Sequence, residues 1–156
     1  MTLRIGSPAP AISLADHEGT IRSLADFRGS WTVVYFYPKD DTPGCTTEAC
    51  AFRDAYADLE KEGIAVVGIS PDSVESHAAF AAKHRLPFTL LADPAKNAIM
   101  AYGAWGERSM YGKKYMGVLR SSVLVDPEGN VAKTYPKASP AEHAGEILAD
   151  VRALRS

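Results

Sequence analysis

The sequence is short of thiols, of charge imbalance and of long apolar runs, and each shortage closes a route. Cys45 and Cys50 are the only two cysteines in 156 residues, too few for a disulfide scaffold and, unaided, for a metal cage. With 17 basic and 19 acidic side chains the net charge is −2, so no excess of one sign points to nucleic acid or an anionic membrane surface. No stretch of about 18 apolar residues is present to span a bilayer. The opening MTLRIGSPAPAISLADHEGT has no apolar segment behind a basic one, so no secretory signal is expected. Repeats, low-complexity tracts and linkers are also missing. The expectation is one domain over 1–156 in the cytoplasm, where a close cysteine pair is catalytic or metal-binding more often than structural.

What is present alternates between strand and helix. An amino-terminal hairpin turns near Glu18-Gly19. WTVVYFYP (31–38) is a continuous apolar, β-branched run, the pattern of a strand covered on both faces. A helix is expected over 43–62: Thr42 suits the N-cap, Pro43 the first helical position and Gly63 the close. Cys45, Ala49, Phe52, Tyr56 and Leu59 recur at helical spacing and draw one inward stripe. IAVVGIS (64–70) is a second buried strand, and the next helix opens on a capping-box pattern, Asp72 to Glu75, and stops before Pro87. FTLLAD (88–93) is a third strand, 95–102 a short helical piece and 102–117 a glycine-rich loop. Residues 120–135 form two strands joined at 127–130. The last helix opens at Ser139 with Pro140 at its first position and turns Ala144, Ile147, Leu148, Val151 and Leu154 inward. This order predicts an α/β fold, a three-layer α/β/α sandwich with a mixed central sheet and an N-terminal hairpin. The loop after 31–38 then lies at the carboxyl end of a central strand, where open α/β sheets place their chemistry.

Both cysteines follow that loop. Cys45 falls at about the third position of its helix, among backbone N–H groups without intrahelical acceptors, which favour a thiolate. The bias matters, because a thiol with the ordinary pKa of about 8.5 is only a few per cent ionised at neutral pH. Pro38 and Pro43 limit the loop's freedom, Thr42 offers a hydroxyl near the sulfur, and Gly44 leaves room for a small substrate beside the backbone. Cys50 comes five residues later, about 500° around an intact helix and about 7.5 Å along it. The implied Cα separation of roughly 8 to 9 Å exceeds the ~7 Å reach of a disulfide, so a bridge needs the first turns to unwind. Two small core hydrophobes would be the plain alternative, but Cys50 falls off the apolar stripe. A metal site would need histidines, and His17, His77, His84 and His143 lack metal-site spacing. His77 and His84 read as a partly exposed helix face, and Arg108, Lys113 and Lys114 as a solvated loop. Trp31, Trp105 and the Tyr102–Tyr111 region read as packing. No phosphate-cradling motif occurs, so no cofactor is expected.

PKDDTPGC (38–45) has the form P-x-x-x-T-x-x-C and, with TTEAC after it, resembles the active-site signature of peroxiredoxins. The C-x4-C spacing is similar to the Q-type subgroup, the bacterioferritin comigratory proteins. GSPAPAISLAD, GISPDS, LLADPAKNAIMAYGAWG and MYGKKYMGVLRSSVLVDPEGNV extend the resemblance over nearly the whole chain. It implies a thioredoxin-like fold and a cofactor-free thiol peroxidase acting on hydrogen peroxide and organic hydroperoxides. Cys45 would be the peroxidatic cysteine, oxidised to sulfenic acid. Thr42 and Arg120 would hold the thiolate and the peroxide oxygens, Pro38 would shield the site, and Glu48 would orient Arg120. Cys50 would be the resolving cysteine, closing an intramolecular disulfide that thioredoxin or a similar dithiol reduces. The subgroup further implies a monomer, while the near-even charge balance gives no sign of a nucleic-acid or membrane partner. A thiol redox switch without turnover is the alternative. Read without the resemblance, Arg120 is a solvated strand end. Glu48 opposes a thiolate three residues away unless a cation intervenes, which Arg120 would supply.

Overall fold

The computed structural model describes residues 3–155. In chain order these form β1 (Ser13–Asp16), β2 (Ile21–Ser23), a 3₁₀ turn (Leu24–Phe27), β3 (Trp31–Phe36), α1 (Pro43–Lys61), β4 (Ile64–Ser70), α2 (Val74–His84), β5 (Thr89–Ala92) and α3 (Asn97–Ala101). After them come β6 (Trp105–Met110), β7 (Lys113–Val118), β8 (Ser121–Val125), β9 (Val131–Tyr135) and α4 (His143–Arg155). One sheet runs β2-β1-β5-β4-β3-β8-β9, with β3, β4 and β5 parallel and their outer neighbours antiparallel. β6 and β7 form a separate two-stranded sheet.

The apolar run of β3 has the physical cause expected of it. Val33, Tyr35 and Tyr37 enter one core with Phe52 and Leu59 of α1, Phe80 of α2, and Ile147 and Val151 of α4. Val34 and Phe36 enter a second core on the opposite face with Ile99 of α3, Tyr102 and Val123. Apolar residues at both parities of a strand can be buried only when both faces are covered, so the layers are α/β/α. No described helix is long and apolar enough to cross a membrane.

Four elements depart from the sequence reading. The expected loop at 102–117 contains the β6–β7 hairpin, turned by Tyr111 and Gly112 at φ 52° and 79°. Two consecutive positive φ values are the type I′ geometry that suits strand twist. Tyrosine is an unusual residue there, and WGERSM and KKYMGV are poor in β-branched residues, so neither turn nor strands were legible. Tyr111 is 98% exposed at the tip and makes no packing contribution, while Arg108 donates to the Val118 carbonyl. At α2 the N-cap is Ser73, whose side chain accepts from Ser76 N at 3.1 Å; Asp72 instead accepts from Asp40 N and Ser70 Oγ. His77 is fully buried rather than on an exposed face. At α4 a turn over 139–142, with Glu142 N and His143 N both donating to Ser139 O, delays the helix to His143. Leu154 ends 48% exposed instead of inward.

Candidate active site

β3 delivers the chain to the carboxyl edge of the sheet, and α1 begins there after a six-residue loop. Cys45 is the third residue of α1 and its side chain is 1% exposed. The first helical bond runs from Thr46 N to Thr42 O, so the amides of Gly44 and Cys45 precede the ladder. The register pairing Phe36 with Ser121 brings Arg120 to the same edge. Its Nη2 donates to Cys45 Sγ at 3.4 Å and its Nη1 to Glu48 Oε1 at 3.0 Å. A fixed guanidinium on the sulfur favours the thiolate over the thiol. Burial works against the Arg120 charge, but Cys45 and Glu48 outweigh it and hold the guanidinium above its ordinary value.

Glu48 is the unusual member. It is fully buried on the helix face that also buries Cys45, Ala49 and Phe52. Burial pushes its carboxyl up to about 7, with Arg120 pulling the other way. Its Oε2 and the hydroxyl of Tyr35 are buried without hydrogen-bond partners. Desolvation, then the charges of Glu48 and Cys45, raise Tyr35 well above the usual phenol range, so it stays neutral.

Two expectations about the neighbours change. A Cβ at Gly44 would lie 2.9 Å from Arg120 Nη2. The room that glycine leaves is therefore taken by the guanidinium and not by a substrate. Thr42 occupies the N-cap with extended backbone but makes no capping bond; its hydroxyl donates to Lys39 O at 2.8 Å. With that proton committed, its oxygen can still accept from the O–H of a hydroperoxide. Pro38 follows Tyr37 at the end of the strand and is half-buried.

Cys50 meets different surroundings. It is half-buried, and both thiols are free on an intact helix. Its Sγ lies 3.9 Å from His84 Nδ1 on α2, and His84 Nε2 lies 3.0 Å from Asp41 Oδ1 in the active-site loop.

Sequence reasoning missed one buried cluster. His77 Nδ1 lies 2.7 Å from Asp40 Oδ2 and its Nε2 lies 2.9 Å from Leu91 O. Tyr37 Oη and Ser76 Oγ also donate to Asp40, and Asp40 N donates to Asp72. These bonds pin the loop between β3 and α1 to α2 and β5. The available signal was the position of His77, three and four residues before the inward Phe80 and Ala81. Asp40, Asp72 and His77 could together offer three ligand atoms to a metal, but each is already engaged within the network. Cys45 lines none of three clefts, one bounded by Ile12, Phe27 and Arg28 under the amino-terminal arm, one by Tyr102, Leu119 and Tyr135, and one by Asp40, Asp41, Phe80 and Lys83 beside the loop before α1.

Residues 5–134 match the AhpC/TSA family. This chain belongs to that family. Peroxiredoxin Bcp of Bacillus subtilis is 43% identical over 148 residues, covering 95% of this chain and 94% of that protein. The bacterioferritin comigratory protein of Xanthomonas campestris, studied for its alkyl peroxide reduction, is 37% identical at a TM-score of 0.89, covering 98% of this chain and 100% of that one. PrxQ of Xylella fastidiosa is 31% identical at a TM-score of 0.92, covering 100% of this chain and 99% of that one. The fold is thus the thioredoxin-like fold of the peroxiredoxins. The protein is a thiol-dependent peroxidase of the Bcp/Q type, with a hydroperoxide as substrate and a thiol as reductant.

Proposed function

We propose that Cys45 is the peroxidatic cysteine, Cys50 the resolving cysteine, and thioredoxin or a similar dithiol protein the reductant. The observation that carries the assignment is the Arg120 bridge, with one guanidinium nitrogen on Cys45 Sγ and the other on buried Glu48. The thiolate attacks one hydroperoxide oxygen: an S–O bond forms, the O–O bond breaks, and the leaving oxygen takes up a proton to depart as water or an alcohol. Arg120 faces the charge that moves onto that oxygen, and Glu48 keeps it aimed. Thr42 accepts from the peroxide O–H, and Pro38 limits access of water. Because Cys45 is 1% exposed, the approach suits a slim –O–OH group, of hydrogen peroxide or at the end of an organic hydroperoxide.

Cys50 then attacks the sulfenic sulfur, forming the Cys45–Cys50 disulfide and releasing water. On an intact helix the two Cα atoms stand roughly 8 to 9 Å apart, so the first turns of α1 must unwind for the bond to form. The same proposal makes the protein a cytoplasmic monomer, one domain over 1–156, without nucleic-acid or membrane partners. Its net charge of −2 offers no general attraction to polyanions.

A coupled assay decides between a peroxidase cycle and a redox switch. With thioredoxin, its reductase and NADPH, the wild type consumes many equivalents of hydrogen peroxide and Cys45→Ser consumes none. Consumption that stops after one equivalent per protein would favour the switch.

A further inference from the structure

The two thiols face different tasks. Cys45 receives help from helix-terminal amides and Arg120, but Cys50 is two turns into α1, beyond the reach of the helix terminus. A resolving thiol must also lose its proton before it can attack, and an ordinary thiol is only a few per cent ionised at pH 7. We propose that His84, oriented by Asp41, is the general base that takes the proton from Cys50 in the disulfide-forming step. The inference rests on Cys50 being the resolving cysteine.

The arrangement is a thiol–imidazole–carboxylate chain drawn from three elements. Asp41 Oδ1 lies 3.0 Å from His84 Nε2. A carboxylate only accepts, so the proton belongs on Nε2, and the Nδ1 lone pair faces Cys50 Sγ at 3.9 Å. That tautomer is the one a base requires. The distance is at the long end for S–H···N, as resting-state catalytic bonds often are.

The ring is held from several sides. Phe80 stands edge-on to it with centroids 5.2 Å apart. Arg53 Nη1, one turn beyond Cys50, donates to the His84 carbonyl at 2.9 Å and ties α1 to α2 at this point. Asp41 sits at φ 59°, a left-handed conformation that aspartate tolerates better than most residues, and this turns its carboxylate toward α2. Lys83 Nζ binds the other carboxylate oxygen at 2.6 Å, and the bonds from Lys83 and His84 keep Asp41 below its ordinary value, hence ionised.

The charges facing the pair are Asp41, which favours the imidazolium, Lys83 and Arg53, which favour the thiolate, and Asp54, which pairs with Arg53. The His84 side chain is 18% exposed, so an accepted proton can pass to solvent. The step balances: the Cys50 S–H bond breaks and its proton moves to Nδ1, the thiolate forms the S–S bond with Cys45, and the S–O bond breaks. Hydroxide leaves and is protonated to water, while His84 returns its proton to the solvent.

The test is rapid mixing of reduced protein with one equivalent of hydrogen peroxide, quenched at intervals and read by intact mass from pH 6 to 9. An added oxygen marks Cys45 sulfenic acid, and loss of two hydrogens marks the disulfide. In His84→Gln the adduct should persist about tenfold longer or more at pH 7. The deficit should shrink toward pH 9, where free thiols ionise unaided, and added imidazole should restore part of the rate. Asp41→Asn, at an exposed position, should slow the same step less and with the same pH trend. It decides the matter if His84→Gln fails to fold, which loss of the initial oxygen adduct would reveal. Adduct lifetimes and pH profiles equal to wild type in both variants would overturn the role of His84. If wild type itself holds the adduct without closing a disulfide, the resolving role of Cys50 fails instead. Iodoacetamide alkylation of Cys50 in Cys45→Ser, with and without His84→Gln, tests activation of the thiol without any peroxide.

Discussion

Cys45 and Cys50 stand on one helix five residues apart and are treated in opposite ways. Cys45 is sealed at 1% exposure under a guanidinium that cannot accept a proton. Cys50 is half-buried beside an imidazole that can. The first site stabilises an anion in place, through a charge that a buried carboxylate holds still. The second offers somewhere for a proton to go and lies on the helix face away from the core stripe, so that it can leave. A nucleophile gains from rigidity and a resolver from release. The two environments divide along that line.

The largest effect expected to separate them is at Arg120. Replacing it with methionine should slow oxidation of Cys45 on the order of 10³-fold, while alkylation of Cys50 in the same variant stays near wild type. Equal losses at both cysteines would mean that the two environments are not independent. Glu48 tests what holds the first site together. Its folded-state value of about 7 lies above the ordinary 4.5. Its contribution to stability is therefore whole below about pH 4.5 and is lost as pH rises through about 7. The loss amounts to about 3 kcal/mol. Chemical denaturation at pH 4.5 and pH 8 should show Glu48→Gln gaining about that much relative to wild type, even as Arg120 loses its anchor. An identical pH slope in both proteins would contradict the burial of a carboxyl there. A smaller effect belongs to Gly44. An alanine must displace the Arg120 nitrogen it would crowd at 2.9 Å, and should slow Cys45 oxidation about tenfold with little change in melting temperature. Closure of the disulfide, measured after oxidation, should keep its wild-type rate.

Much of this division was legible in the sequence. The apolar run 31–38, the Thr42-Pro43 start and the stripe from Cys45 to Leu59 all obey local rules, and β3 and α1 follow them. The spacing also showed that Cys50 falls off that stripe. The Glu48–Arg120 pair was implied by the family resemblance, and the residues alone supported it only as the way out of a conflict between a carboxylate and a thiolate. Its full burial was not foreseen, because nothing local marks a glutamate at a core position. The rest depended on contacts between distant segments. His77 is buried because Asp40 and the Leu91 carbonyl meet it from 37 and 14 residues away. His84 faces Cys50 only because the carboxyl end of α2 meets α1 at Cys50 and Arg53, and the Tyr111-Gly112 turn carries little of the usual hairpin signature.

The most direct test of the division is intact mass after one equivalent of hydrogen peroxide, in reduced wild type, Cys45→Ser and Cys50→Ser. The account predicts loss of two hydrogens in wild type, a persistent added oxygen in Cys50→Ser and no rapid change in Cys45→Ser. Rapid oxidation of Cys45→Ser, or a disulfide between two molecules of wild type in place of one within the chain, would contradict it.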